Sequence, residues 1–233
     1  MPPARDLLER HLEIVGVVAQ SLEPIVFSVP SGNFGDMMGA VIARRMGVPI
    51  ERLVIATNAN DEVPRYLQSG EYLKIQPSRT CISNAMNVGH PSNLARLVDA
   101  YGGWMDETGM LKQPADLERM RRDLYAISVP DELTRATIRE AYEKHKAILE
   151  PHGAVGWAGL DHYLSERGGT EPLSVSIETA HPAKFPEEIQ ALLGIDPPVP
   201  PSLQGMEDKP EHWEPMKVDY ESFRAMLLER FNK

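Results

Sequence analysis

The stretch Val26–Gly47, VFSVPSGNFGDMMGAVIARRMG, decides the fold. A short apolar run, PIVFSV at residues 24–29, enters a polar turn, SGNFG, and then an amphipathic segment. β-Branched residues bounded by prolines predict a strand buried on both faces. Asp36 to Met46 reads as a helix, stopped by Gly47 with Pro49 beyond it. A second buried strand, RLVIAT at 52–57, follows. Strand, helix and strand at this spacing form a βαβ unit with a right-handed crossover.

The turn carries the first chemical signal. Gly32 and Gly35 bracket Asn33 and Phe34. Such a loop offers successive backbone N–H groups, and the helix N-terminus adds about half a positive charge. A phosphate fits, because glycine lets the backbone approach its oxygens. The loop matches neither the G-x-G-x-x-G fingerprint nor the Walker A pattern. Taken alone, it reads equally well as a tight strand-to-helix turn.

Working outward, residues 4–21 read as a helix, with Leu7, Leu8, Leu12, Val15 and Val18 at three- and four-residue spacing. A short helix and turn surround Pro64 and Gly70. The segment from Arg79 starts extended, loops through Gly89 and Pro91, and becomes a helix capped by Ser92 or Asn93 and stopped at Gly102. Residues 114–125 and 131–150 read as helices, the second with Asp131 as N-cap and Ile138, Ala141, Tyr142 and His145 on one face. Residues 153–169 form another helix, whose small residues predict close packing. PLSVSIET at 172–179 is a third buried strand, and Pro186 to Leu193 a short helix.

These elements predict a three-layer α/β fold, a mostly parallel sheet with helices on both faces. Strands 25–29, 52–57 and 174–179 should be parallel neighbours, or be separated only by other parallel strands. Residues 1–195 form the main portion. Residues 196–233 hold a proline-rich extended arm and an amphipathic helix at 219–231.

Thr179 falls at the carboxyl end of the third strand, where ligands of open α/β sheets bind. Its hydroxyl can hydrogen-bond a ring nitrogen. The local alternative is that Thr179 caps the strand and His181 satisfies itself nearby. Asn58, Asn60 and Asp61 face the same end of the sheet, as a turn cluster or as ligands.

The 233 residues are 42% hydrophobic and 25% charged, with a formal net charge of −10. That balance argues against nucleic acid as a partner. Cys81 is the single cysteine, read as a small buried residue, and excludes an internal disulfide. Charges interrupt the N-terminal apolar pattern, and no run is long enough to span a bilayer. A cytoplasmic location is therefore expected. His152 and His162 lack metal-binding spacing, and no metal is expected.

Five segments, SVPSGNFGD, MGVPIERLVIATNANDEVPRYLQSGEY, TCISNAMNVGHPSN, EPHGAVGWAGL and ETAHPAKF, occur in this order. Together they resemble the C-terminal half of threonine synthase, a pyridoxal-phosphate enzyme of fold type II, the tryptophan-synthase-β group. The resemblance covers roughly residues 10–195. It implies pyridoxal 5'-phosphate as cofactor. Backbone amides of Gly32, Asn33, Phe34 and Gly35, with Asp36 at the helix start, would hold the cofactor phosphate. Thr179 would face the pyridine nitrogen. Ser83, Asn84 and Asn87 are candidates for contact with substrate phosphate or with the closing domain.

The resemblance also implies conversion of O-phosphohomoserine and water to threonine and phosphate. An elimination of phosphate without threonine formation, or non-catalytic binding of the cofactor, are the alternatives. The family's Schiff-base lysine lies in its N-terminal half, and no lysine here matches that motif. No catalytic residue is therefore assigned in this chain. Lys184 lies nearest a cofactor contact, at a structural or anion-binding position. The expectation is activity only with a complementary N-terminal half, with association, including homo-oligomers, through apolar surface that such a half would cover.

Overall fold

Strand β1, Ile25–Pro30, pairs in parallel with β2, Ile50–Thr57, on one side and with β6, Leu173–Ser176, on the other. The computed structural model describes residues 23–231 except Glu171 and Glu207. The helix expected at 4–21 lies outside the described residues. A fourth strand, β5, Leu124–Ser128, pairs in parallel with β2. The sheet order is β5-β2-β1-β6. All three predicted strands are thus parallel members of one sheet.

Alternation along the strands assigns the two faces. Val29, Leu53 and Ile55 join one core cluster. Val26 and Val54 join a second, and Ala56 a third. Successive side chains of a strand point to opposite faces, so both faces are buried. Helix α1, Gly35–Arg45, packs Met37, Met38 and Val41 into the first cluster, with α2, Glu62–Ser69, and α3, Leu94–Ala100. Leu53 and Ile55 are fully buried, each worth about 1.5–3 kcal/mol of apolar transfer.

Helix α6, Pro151–Arg167, covers the opposite face. Its small residues permit the close approach that the sequence suggests. A Cβ on Gly159 would stand 2.7 Å from Cβ of Ala56. The Ser28 hydroxyl donates to the Gly156 carbonyl at 2.6 Å, tying the helix to the sheet.

Several boundaries differ from expectation. The helix expected at 114–125 is α4, Leu117–Asp123, and the chain then turns directly into β5. No glycine or proline marks that junction, and Leu124 and Tyr125 continue the helical apolar pattern. The helix expected at 131–150 is α5, Asp131–His145. Lys146 ends it in the left-handed conformation, φ 56, a role usually signalled by glycine. Asp131 is the first helical residue rather than the cap. Its carboxylate accepts from the Ile82 N–H. The third strand ends at Ser176, three residues before Thr179. A two-stranded antiparallel hairpin, β3 Trp104–Met105 with β4 Leu111–Gln113, has no counterpart in the expectations.

The described residues fall into two compact units, the first ending at Pro198 and the second running from Val199. Helix α7, Pro186–Leu193, belongs to the first, burying Ile189 against α5 and Phe185. The second contains a short 3₁₀ turn, Pro201–Leu203, and helix α8, Tyr220–Phe231. The Asp219 carboxylate accepts from the Ser222 N–H at 2.8 Å at the start of α8, and Arg230 pairs with Glu214. No described helix is long and apolar enough to cross a membrane.

Glu62 Oε2 and the Tyr66 hydroxyl are among the five side-chain polar atoms buried without a hydrogen-bond partner among the described residues. Burial raises the Glu62 carboxyl to about 7, helped by Asp61 and opposed by its own backbone N–H, Arg65 and Arg79. Between its ordinary 4.5 and about 7 the folded chain holds a proton that the unfolded chain releases. Stability therefore falls as pH rises through that window and levels off above it. Glu62→Gln is expected to match the parent near pH 5 and exceed it by about 1–3 kcal/mol near pH 8. Urea unfolding at the two pH values measures this.

Candidate functional site

The loop between β1 and α1 closes around one residue of unusual geometry. Phe34 adopts φ 64, ψ 20, the left-handed region, immediately before the first turn of α1. A bulky residue there is strained and persists only where its surroundings hold it. The Phe34 ring is the anchor, 2% exposed and packed among Met37, Val29 and the first core cluster. Its ring is therefore committed to the core and leaves its backbone to face outward.

Gly32 and Gly35 have different reasons to be glycine. A Cβ on Gly32 would stand 2.8 Å from Cα of Met86 and 3.0 Å from the Ala85 carbonyl oxygen. The 3₁₀ turn Asn84–Met86 leaves no room. A Cβ on Gly35 would meet nothing within 4 Å. Its space is open, as a cradle for a ligand requires. No described residue accepts a hydrogen bond from the N–H groups of residues 32–37, and Met38 is the first to bond within the helix. These donors therefore remain available to an anion.

The Asn33 side chain serves the loop itself. Its Oδ1 accepts from the Ser92 N–H at 2.6 Å and from the Ser92 hydroxyl at 3.0 Å. Its carbonyl accepts from Asn93 Nδ2 at 2.8 Å. The carboxamide thus pins the loop to the turn before α3.

A cavity of about 220 Å³ opens beside the loop, lined by Gly32, Asn33, Phe34, Gly35 and Asp36. Thr179 and Lys184 line it from the other side. The loop residues and Thr179 thus share one cavity at the carboxyl ends of β1 and β6. Thr179 is exposed. Lys184 brings an ammonium to a lining that also holds Asp36, with its Nζ 5.5 Å from the Phe185 ring centre. His181 satisfies itself locally, its Nδ1 accepting from the Ala183 N–H at 3.1 Å.

Ser83, Asn84 and Asn87 do not line this cavity. Ser83 is fully buried and accepts through its hydroxyl from Asn58 Nδ2 at 3.1 Å. Asn87 Oδ1 accepts from Asn58 Nδ2 and from the Cys81 N–H. Asn84 is exposed on the 3₁₀ turn. Asn58 and Asn60 are buried and bonded to each other, and Asn60 exchanges hydrogen bonds with the backbone of Arg79. This set is a turn cluster that fixes the 79–87 segment. Cys81 is buried within it, and burial raises its thiol.

Glu150 and His152 are the contributors that the residue patterns do not reveal. Glu150 is fully buried and caps α6, accepting from the N–H groups of His152 and Gly153 at 2.8 Å each. It also meets His152 Nδ1 at 2.5 Å. His152 Nε2 accepts from the Ala85 N–H at 3.1 Å, so the ring proton sits on Nδ1 and points at Glu150. The pair thus holds the 84–86 turn against Gly32, and His152 forms part of the cavity wall. An acidic residue followed by proline, as in Glu150-Pro151, is the one local sign of this cap.

Glu178 precedes Thr179. The residue is exposed as a whole, but its carboxylate is pressed against Gly153, where a Cβ would meet Oε1 at 1.9 Å. Burial of the carboxyl, and then the charge of Glu150, raise it to about 8. Its effect on stability has the same sign as that of Glu62. Among the described residues, no three acidic, histidine or cysteine side chains come together to hold a metal.

A parallel α/β sheet with a glycine loop of free amides at its carboxyl edge belongs to the architecture of fold type II pyridoxal-phosphate enzymes. Within that class the chain is similar to threonine synthase, over the C-terminal part of that enzyme. The family described as "Threonine synthase, C-terminal" matches residues 153–227. The chain is 36% identical over 210 residues to the threonine synthase of Haemophilus influenzae, covering 88% of this chain and 44% of the relative. For the Escherichia coli enzyme the identity is 33% over 204 residues, covering 88% and 43%. The crystal structure of E. coli threonine synthase superposes with a TM-score of 0.73 at 31% identity, over 89% of this chain and 44% of that one. The structure of threonine synthase with bound pyridoxal phosphate from Brucella melitensis gives 0.72 at 32%, over 84% and 44%. The chain therefore spans less than half the length of these threonine synthases.

Proposed function

We propose that this chain supplies the phosphate cradle and the ring-nitrogen partner of a threonine synthase active site. It would act with the part of the fold that its relatives carry outside the matched region, whether on the same polypeptide or another. The reaction is conversion of O-phosphohomoserine and water to threonine and phosphate. The observation that carries this reading is one cavity lined by Gly32–Asp36 on one side and Thr179 on the other.

The residues fit pyridoxal 5'-phosphate. The free amides after Gly32 and the open space at Gly35 suit its phosphate. Lys184 adds a positive charge, and Thr179 offers a hydroxyl to the ring nitrogen. When bound, the cofactor supplies an electron sink for the substrate carbons. Thr179, being neutral, would donate a hydrogen bond to the nitrogen without a carboxylate's pull toward its protonation. The Phe34 ring, held in the core, cannot stack on the cofactor ring. The helix dipole of α1 and the loop amides would hold the phosphate end still while Thr179 fixes the ring end.

Lys184 is read as an anion contact and not as the anchor of the cofactor. The chain alone is therefore expected to release no phosphate from O-phosphohomoserine and to form no stable borohydride-reduced adduct. Co-expression with the lysine-bearing half of a relative should restore both. Phosphate release by the chain alone, with a reduced adduct on Lys184, would overturn this assignment.

A further inference from the structure

A second cavity, of about 320 Å³, lies at the other end of the sheet. Arg44 and Arg45 reach it from the last turn of α1, and Arg119 and Arg122 from α4. Helix α1 starts at the carboxyl end of β1 and returns the chain to the amino end of β2. Its 11 residues place this cavity about 16 Å from the glycine loop, at 1.5 Å per residue. The two sites are separate.

The charge around this cavity is unbalanced. Among the described residues, four guanidinium groups line it with one carboxylate, Asp123. Arg44 lies 3.1 Å from Asp123, Arg122 3.7 Å and Arg119 3.9 Å. One carboxylate thus serves three arginines, and Arg45 also lines the cavity. Four positive charges against one negative leave an excess of three, in a chain whose formal net charge is −10. Like charges held this close repel, and an anion between them relieves that repulsion.

The groups are also pre-ordered. The Arg119 guanidinium lies 5.6 Å from the Tyr101 ring centre, a cation–π placement. Burial, and then Asp123, push the Tyr101 hydroxyl up to about 12. Asp123 is largely buried, with a side chain 13% exposed, and fixes Arg44. Guanidinium forks present paired N–H donors that match the oxygens of a phosphate or carboxylate.

We propose that this cavity binds a small oxyanion carrying two or more charges, a phosphorylated or polycarboxylate molecule, at a site distinct from the cofactor cradle. The inference does not depend on the proposed reaction. Because the glycine loop is also expected to take phosphate, the test must separate the two sites.

The experiment is a titration of the full chain with inorganic phosphate, and separately with citrate, at constant ionic strength. It is followed by the Nε–H signals of Arg44 and Arg119 in heteronuclear NMR. Saturable shifts are expected with at least one of the two anions and none with chloride. The same saturation should persist in Gly35→Val, whose change lies at the loop. In Arg119→Gln/Arg122→Gln, affinity should fall about tenfold or more. Arg122→Gln alone, at a side chain 70% exposed, serves if the double variant is unstable and should show a loss in the same direction. Linear shifts without saturation, equal shifts with chloride, or unchanged affinity in the arginine variants would each overturn the site. So would binding that disappears in Gly35→Val and survives in the arginine variants. If neither anion binds but an acidic peptide does, the cavity is a protein contact and the small-anion assignment fails.

Discussion

Glu150→Ala is expected to destabilise the chain by about 3–5 kcal/mol. The carboxylate is fully buried and accepts three hydrogen bonds, two from the first turn of α6 and one from His152. Alanine leaves all three donors unpaired in a dry environment, and that cost exceeds the net value of the bonds themselves. Glu150→Gln keeps one acceptor oxygen and should fall between alanine and the parent. The local consequence is sharper than the global one. His152 loses the group that sets its tautomer, and its bond to the Ala85 N–H weakens. Urea unfolding reads the first effect, and amide exchange at Ala85 the second. His152→Ala should expose the same amide with a smaller loss of stability. An Ala85 amide that stays protected in both variants would mean that the 84–86 turn is held by something else.

Gly32→Ala is expected to cost about 1–3 kcal/mol and to weaken phosphate binding at the loop. The added Cβ would stand 2.8 Å from Cα of Met86, a backbone atom that cannot swing aside. Either the loop or the 84–86 turn must move, and the loop amides move with it. Gly35→Ala is the internal comparison. Its Cβ meets no protein atom and lies at the start of α1, where alanine is the better helix former by about 0.5–1 kcal/mol. Two glycines three residues apart in one loop are thus expected to respond with opposite signs of stability. Thermal unfolding of the two variants measures this directly.

The glycine loop and its flanking elements were legible in the sequence where the chain punctuates itself. Pro24, Gly32, Gly35, Gly47 and Pro49 bracket β1, the loop and α1, and the ends of those elements fall within a residue or two of expectation. Thr179 could be placed at the edge of the sheet because an apolar run leads into it. What remained hidden depends on contacts between distant segments. The junction between α4 and β5 at Asp123 and Leu124 carries no breaker residue. Lys146 takes the left-handed cap position without being glycine. The roles of Asn58, Ser83 and Asn87 as mutual partners require folding to bring positions 25 and 29 residues apart together. The Glu150–His152–Ala85 link spans 67 residues between His152 and Ala85. The arginine cavity joins two helices whose charges, read singly, look like ordinary helix-surface cations.

The central claim is that one cavity receives a phosphate at residues 32–36 and an aromatic nitrogen at Thr179. Its most direct measurement compares the affinity of the full chain for pyridoxal 5'-phosphate and for pyridoxal, in the parent, Gly35→Val and Thr179→Val. Pyridoxal 5'-phosphate should bind reversibly and compete with inorganic phosphate, and pyridoxal should bind at least about tenfold more weakly, for want of charge-assisted bonds to the loop. Gly35→Val fills the cradle and should abolish the difference between the two ligands while leaving the thermal transition in place. Thr179→Val should weaken both ligands alike. Equal affinity for the two ligands in the parent, or an unchanged preference for the phosphorylated one in Gly35→Val, would contradict the account.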